Sequence, residues 1–170
     1  MPPPMPCLGF SRSVTRRYNG GDPQTATGDN EDGMSEQGNT AMGGGRVLHT
    51  MLRVRDLDRS IEFYTRHLGM TLLRRRDYPN GKFTLAFVGY GDETTGAVLE
   101  LTYNWGREEG YEIGTGYGHI AIGVPDVAAA CSRLAEAGVK IPVPPKPGPS
   151  GRTLAFVEDP DGYRIELLTR

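Results

Sequence analysis

His49–Thr50–Met51–Leu52–Arg53–Val54–Arg55–Asp56–Leu57 recurs seventy residues later as His119–Ile120–Ala121–Ile122–Gly123–Val124–Pro125–Asp126–Val127. A His, a Val, an Asp and an aliphatic residue fall at matching places, the mark of one structural unit used twice. Each copy runs on into apolar residues at helical spacing: Ile61, Tyr64 and Leu68 in the first, Val127, Cys131 and Leu134 in the second. Each helix is predicted to stop at a glycine, Gly69 or Gly138, because glycine takes the left-handed backbone of a helix end at no steric cost. Further on, Val98–Leu99–Glu100–Leu101–Thr102 is echoed by Arg164–Ile165–Glu166–Leu167–Leu168, both alternating as strands do. Residues 72–74, 83–88 and 153–157 are also strand-like, and Pro79–Asn80–Gly81 and Asp159–Pro160–Asp161–Gly162 mark turns. Each half therefore reads β-α-β-β-β, repeat one over about 46–105 and repeat two over about 116–170. The fold class is α+β, with tandem βαβββ repeats forming curved mixed sheets. Half a domain of this size leaves one sheet face uncovered, so the two sheets must curl together or pair across a dimer.

Outside this region the chain changes character. Residues 1–45 hold nine of the 24 glycines and five of the 13 prolines, with almost no aliphatic periodicity. Such a stretch cannot bury enough apolar surface to offset its chain entropy and reads as a disordered extension. Arg12, Arg16 and Arg17, with no acid among the first 21 residues, give it the look of an organelle transit peptide. The other reading is an extension upstream of a start at Met34 or Met42. The extension takes three basic and five acidic residues, which leaves residues 46–170 with sixteen of each sign. The whole chain carries 19 Lys and Arg against 21 Asp and Glu, so its overall field offers nothing to nucleic acid. No apolar run approaches the roughly 18 to 20 residues of a membrane span. Cys7 and Cys131 are too few and too far apart for a disulfide framework or a metal knuckle, which suits the reducing cytoplasm.

Strand alternation decides which side chains share a face. His49, Met51 and Arg53 point one way, with Leu48, Leu52 and Val54 opposite in an apolar layer. Glu100, Thr102 and Asn104 lie opposite Leu99, Leu101 and Tyr103. In repeat two, His119, Ala121 and Gly123 oppose Ile120, Ile122 and Val124, and Arg164, Glu166 and Leu168 oppose Tyr163, Ile165 and Leu167. Each repeat thus offers one His and one Glu on the face away from its helix. An isolated strand His or Glu is readily a surface residue, but two of the chain's three histidines occupy equivalent positions, each matched by an equivalent Glu. Carboxylates embedded in aliphatic strands call for compensating charge. Two imidazoles and two carboxylates suit Ni²⁺, Co²⁺, Fe²⁺, Mn²⁺ or Zn²⁺ with positions left open, as in a catalytic site rather than a closed structural zinc site. His67 reads as solvated, Met51 and Tyr103 as packing residues, Arg74–Arg75–Arg76 as an exposed strand end, and Cys131 as part of a buried helical stripe.

A family resemblance rests on His49–Val54, Asp56–Tyr64, Leu68–Gly69–Met70, Val98–Trp105, Tyr117–Ile122 and Ala155–Glu166. Residues 46–170 resemble lactoylglutathione lyase (glyoxalase I), the short bacterial type, of the vicinal oxygen chelate superfamily; residues 1–45 have no counterpart there. The resemblance implies that His49, Glu100, His119 and Glu166 bind one divalent metal per site, Ni²⁺ or Co²⁺ being favoured and Zn²⁺ an alternative. It implies that Arg53 and Asn104 contact glutathione, the co-substrate, and that His119 lies close to the reacting group. It also implies a homodimer with two shared sites, His49 and Glu100 coming from one subunit and His119 and Glu166 from the other. The expected reaction isomerises the hemithioacetal of methylglyoxal and glutathione to S-D-lactoylglutathione by metal-assisted proton transfer through an enediolate. Glu166 is the candidate base and Glu100 its counterpart. The stretch Ile141–Pro149 reads as a loop where the family carries its substrate-covering loop; Lys146 and Arg152 are within its reach, but neither is carried over as a contact.

Two rivals remain. An acyl-CoA epimerase of the same superfamily usually has Gln at the place of Glu100 and lacks Thr102–Tyr103–Asn104–Trp105. A metal-free small-molecule binding or resistance protein on this fold has no use for four ligands in register.

Overall fold

A computed structural model describes residues 44–107 and 109–170. The disordered-extension, transit-peptide and internal-start readings of residues 1–45 therefore fall, but for Gly44 and Gly45, outside the described residues. Repeat one comprises β1 (His49–Arg53), α1 (Leu57–Glu62), β2 (Thr71–Tyr78), β3 (Phe83–Gly89) and β4 (Val98–Asn104). Repeat two comprises β5 (Ile120–Val124), α2 (Val127–Glu136), β6 (Val143–Pro147), β7 (Thr153–Glu158) and β8 (Arg164–Thr169). The repeated aspartates start the helices: Asp56 Oδ1 accepts from the Arg59 amide at 3.1 Å and Asp126 Oδ1 from the Ala129 amide at 2.9 Å. Each such cap is worth about 1 kcal/mol. Gly69 and Gly138 follow the helical segments with φ of 72° and 77°, the left-handed backbone expected of them.

Each repeat is a four-stranded mixed sheet, in the order β1-β4-β3-β2 and β5-β8-β7-β6. The first strand of each runs parallel to the last, and the remaining pairs are antiparallel. One apolar core joins the repeats, taking Leu52, Val54, Leu101 and Tyr64 from the first and Val127, Val157, Ile165 and Leu167 from the second. Polar stitches reinforce it. Tyr64 Oη donates to Asp159 Oδ2 at 2.8 Å, the Arg55 amide to Asp161 Oδ1 at 3.0 Å, and Tyr163 Oη to the Arg53 carbonyl at 3.1 Å. The turn Asp159–Gly162 is thus also a clamp. Asp159 is buried, and burial pushes its carboxyl above the usual range against the pull of three hydrogen-bond donors, the Tyr64 hydroxyl and the amides of Asp161 and Tyr163. The Tyr64 hydroxyl is pushed up by burial and by the neighbouring Asp159 charge.

Several expectations need correction. The first helix is α-helical only to Glu62 and continues over Phe63–His67 as a wider π turn; Phe63 joins the core and Ile61 is only half-buried. His67 is half-buried rather than solvated, with Phe63 edge-on to its ring at 6.0 Å. Arg74–Arg75–Arg76 occupy the middle of β2, not its end. This is an edge strand whose guanidiniums are balanced locally: Arg74 by Glu93, Arg75 by Asp58, and Arg76 over the Tyr78 ring. The proline-rich loop contains β6, also an edge strand, where prolines lacking an N–H are tolerated and the register breaks between Val143 and Lys146. Leu48 and Met51 are 55% and 41% exposed, so neither belongs to the core.

Candidate active site

The alternation puts both carboxylates on the open faces, and the register gives each the same setting. Glu100 lies between Met51 of β1 and Phe87 of β3; Glu166 lies between Ala121 of β5 and Phe156 of β7. His49 Nε2 is 3.1 Å from Glu100 Oε2, and His119 Nε2, one residue ahead of β5, is 3.3 Å from Glu166 Oε2. The carboxylates are mostly covered (14% and 16% exposed) while the imidazoles are 40% and 42% exposed, so both pairs face outward from a sheltered floor. An aromatic edge abuts each imidazole: Phe87 at 5.6 Å and 81° to His49, Phe156 at 5.2 Å and 82° to His119. The signal for these phenylalanines lies in a further repeat, Leu85–Ala86–Phe87–Val88 against Leu154–Ala155–Phe156–Val157, which the strand reading missed.

The two pairs do not meet. Among the described residues, no three or more His, Cys, Asp or Glu side chains of this chain are placed to hold one metal ion. Each repeat brings one imidazole and one carboxylate together, and within this chain the two pairs stay apart.

Arg53 and Asn104 do come together. With Arg107, Glu109, Gly110, Tyr111 and Glu112 they line a recess of about 630 Å³. Asn104 Nδ2 donates to Tyr111 Oη at 2.8 Å, and the Arg107 guanidinium sits 4.3 Å over the Tyr111 ring. Tyr111 and Arg107 belong to the irregular segment between the repeats, where neither periodicity nor self-comparison could mark them. Lys146 stands on β6 and Arg152 just before β7.

Paired βαβββ repeats, each a four-stranded mixed sheet, define a class, and residues 46–167 match the model of the Glyoxalase/Bleomycin resistance protein/Dioxygenase superfamily. The chain is 57% identical over 124 residues to the lactoylglutathione lyase of Escherichia coli O157:H7, covering 72% of this chain and 91% of that protein. Among solved structures it resembles the trypanothione-dependent glyoxalase I of Leishmania major, with 52% identity, a TM-score of 0.67, and coverage of 74% of this chain and 87% of that one. It also resembles glyoxalase I of Zea mays, with 48% identity and a TM-score of 0.70; the match covers 74% of this chain and 44% of that one. The chain belongs to the lactoylglutathione lyase (glyoxalase I) family of this superfamily.

Proposed function

We propose that this protein isomerises the hemithioacetal of methylglyoxal and glutathione to S-D-lactoylglutathione, a detoxifying lyase reaction of the cytoplasm. The observation that carries the reading is the matched pair of outward-facing His–Glu half-sites, one of them leading along its sheet face to the recess of Arg53 and Asn104. The donor chemistry fits a divalent metal: two imidazole nitrogens and two carboxylate oxygens match Ni²⁺ or Co²⁺ in six-fold geometry, with Zn²⁺ as the alternative. One chain offers only half of that set to any one place. The working unit is therefore a homodimer in which His49 and Glu100 of one subunit face His119 and Glu166 of the other. Exposed Val47, Leu48 and Met51 in and beside β1 supply apolar surface for that pairing.

The metal, when bound, supplies Lewis-acid stabilisation of the negative charge that develops on the substrate oxygens. Glu166 takes the proton from the carbon that bears the sulfur and returns it to the neighbouring carbon, a transfer within hydrogen-bond reach of one carboxylate. The hydroxyl proton passes from the first carbon's oxygen to the second's, which completes the isomerisation. His119 stands beside it and holds the reacting group in place. Arg53 and Asn104 anchor the glutathione portion, and the guanidinium provides local attraction for an anion that a charge-balanced domain does not provide overall.

The test is a thioester absorbance assay with methylglyoxal and glutathione on chelated protein, with Ni²⁺, Co²⁺ or Zn²⁺ added back. Activity restored by Ni²⁺ or Co²⁺ is expected. Thioester formation that is indifferent to metal, or seen only with another thiol such as trypanothione, overturns the metal or the co-substrate assignment respectively.

A further inference from the structure

The two carboxylates are equivalent by repeat, by register and by distance to their imidazoles, yet a proton-transfer site needs one to stay and one to move. One difference lies two residues along each strand. Thr102, buried on the Glu100 face of β4, donates from Oγ1 to Glu100 Oε1 at 3.0 Å, while Glu100 Oε2 faces His49. Both oxygens of Glu100 are thereby engaged. In β8 the matching residue is Leu168, which has no hydrogen to donate, and among the described residues Glu166 is engaged only through its Oε2, by His119. A hydroxyl bond to a carboxylate fixes its torsion and occupies a lone pair; without one, the carboxylate keeps its rotational freedom.

We propose that Thr102 is a positioning residue that locks Glu100 as a fixed metal ligand, and that Leu168 at the matching place leaves Glu166 free to exchange between ligand and base. This rests on the reading of Glu166 as the base. It makes the division of labour between two like carboxylates a property of two neighbouring side chains rather than of the carboxylates themselves.

The experiment uses the full-length protein, stripped of metal and titrated with Co²⁺ alone against a chelator, reading affinity and the Co²⁺ absorption envelope. Thr102→Val, nearly isosteric, is expected to weaken Co²⁺ binding by roughly 10- to 100-fold, the usual loss when a ligand's own hydrogen-bond partner is removed, and to alter the spectrum. Thr102→Ser, which keeps the hydroxyl, is expected to restore both and serves as the folding control. Leu168→Thr, which gives Glu166 the same clamp, is expected to keep Co²⁺ affinity within about 3-fold and to lower kcat at least tenfold with KM unchanged, as for loss of an interaction specific to the transition state. Wild-type affinity and spectrum in Thr102→Val overturn the clamp; unchanged kcat in Leu168→Thr overturns the freedom assigned to Glu166. Failure of the underlying reading looks different: Glu166→Gln then keeps its turnover, while the Co²⁺ response of Thr102→Val is unaffected.

Discussion

Repeat one and repeat two make the same His–Glu unit and surround it differently. The His–Glu distances agree to within 0.2 Å, and a phenylalanine edge stands against each imidazole. On the open face around those three side chains the likeness stops. Where repeat one has Arg53, repeat two has Gly123, and where Asn104 closes β4, Arg170 follows β8. Arg74 lies 3.3 Å over the Phe87 ring, whereas Val143 is the cross-strand partner of Phe156. The repeat preserves the His–Glu pair and its aromatic neighbour and varies the side chains around them. Under the proposed function, a duplicated unit would give a matched set of metal ligands with different substrate contacts on either side.

The most severe way to break the comparison is to separate its halves. His49→Ala and Glu166→Ala chains are each expected to be inactive as pure dimers. Subunit exchange between them gathers both lesions into one site of the mixed dimer and leaves the other intact. Random mixing makes half the dimers mixed, each with one good site, so about a quarter of wild-type activity is expected. No recovery after verified exchange refutes the sharing of sites. Next in size is the exchange of each carboxylate for its amide. Glu166→Gln is expected to retain metal and lose 10²- to 10⁴-fold in kcat, the usual worth of a positioned general base. Glu100→Gln is expected to lose metal affinity first. Equal losses of both kinds in both variants would mean that the carboxylates are functionally interchangeable.

The His–Glu pairs were legible in the sequence because two independent regularities, an internal repeat at offsets of 70 residues for the histidines and 66 for the glutamates, and strand alternation, fall on the same four residues. The architecture was legible for the same reason: Asp56 and Asp126, Gly69 and Gly138 begin and end matching helices. What stayed hidden is what depends on tertiary contact. The proline run Val143–Pro147 looks like a loop by composition and is a strand because it needs only one neighbour, β7. Phe63–His67 keeps a helical apolar pattern, so its widening into a π turn leaves no trace in spacing. The Asp159–Gly162 turn signal was read correctly, but that Asp159 takes the Tyr64 hydroxyl 95 residues away follows only from packing the repeats together. The Thr102 hydroxyl on Glu100 joins residues in plain view on one strand face; only the side-chain torsion, which sequence does not specify, makes them partners.

The clamp between the repeats breaks the comparison at the level of stability, since Asp159 serves it in repeat two and has no partner of its kind in repeat one. Tyr64→Phe removes a donor to a buried carboxylate and is expected to cost about 1.5–3 kcal/mol at pH 7. The sign with pH follows from burial. The folded-state pKa of Asp159 lies above its unfolded value, so its contribution favours the fold at low pH and is lost as pH rises through the folded pKa. The lost bond matters most when Asp159 is ionised, so the deficit of Tyr64→Phe is expected to shrink on acidification toward about pH 4. Urea unfolding at neutral and mildly acid pH measures it; a deficit that grows in acid contradicts the buried-carboxylate account.

The smallest effect is expected at Arg74, where repeat one carries a cation and repeat two a valine. Arg74 Nε and Nη2 donate to Glu93 at 2.8 and 3.0 Å, and the guanidinium covers Phe87, but both charged partners are substantially exposed. Exposed ion pairs and cation–π contacts each contribute at most about 1 kcal/mol and commonly about half that, so Arg74→Val is expected to lose about 1 kcal/mol in urea unfolding. Its pH dependence runs opposite to that of Asp159. The Arg74 guanidinium holds the Glu93 carboxyl below its usual range, so this contribution is present above the unfolded pKa, near about 4.3, and is lost as pH falls through the folded value. The deficit of Arg74→Val should therefore also close in acid, but by ion-pair loss in the wild type rather than by neutralisation of a buried charge, and salt distinguishes the two. Added salt is expected to diminish the Arg74→Val deficit at pH 7 and to leave that of Tyr64→Phe in place, because exposed pairs are screened and a buried hydrogen bond is not. A salt-insensitive Arg74→Val deficit would place the cation among the groups that hold Phe87 against His49, and would extend the difference between the repeats from substrate contacts to the His–Glu unit itself.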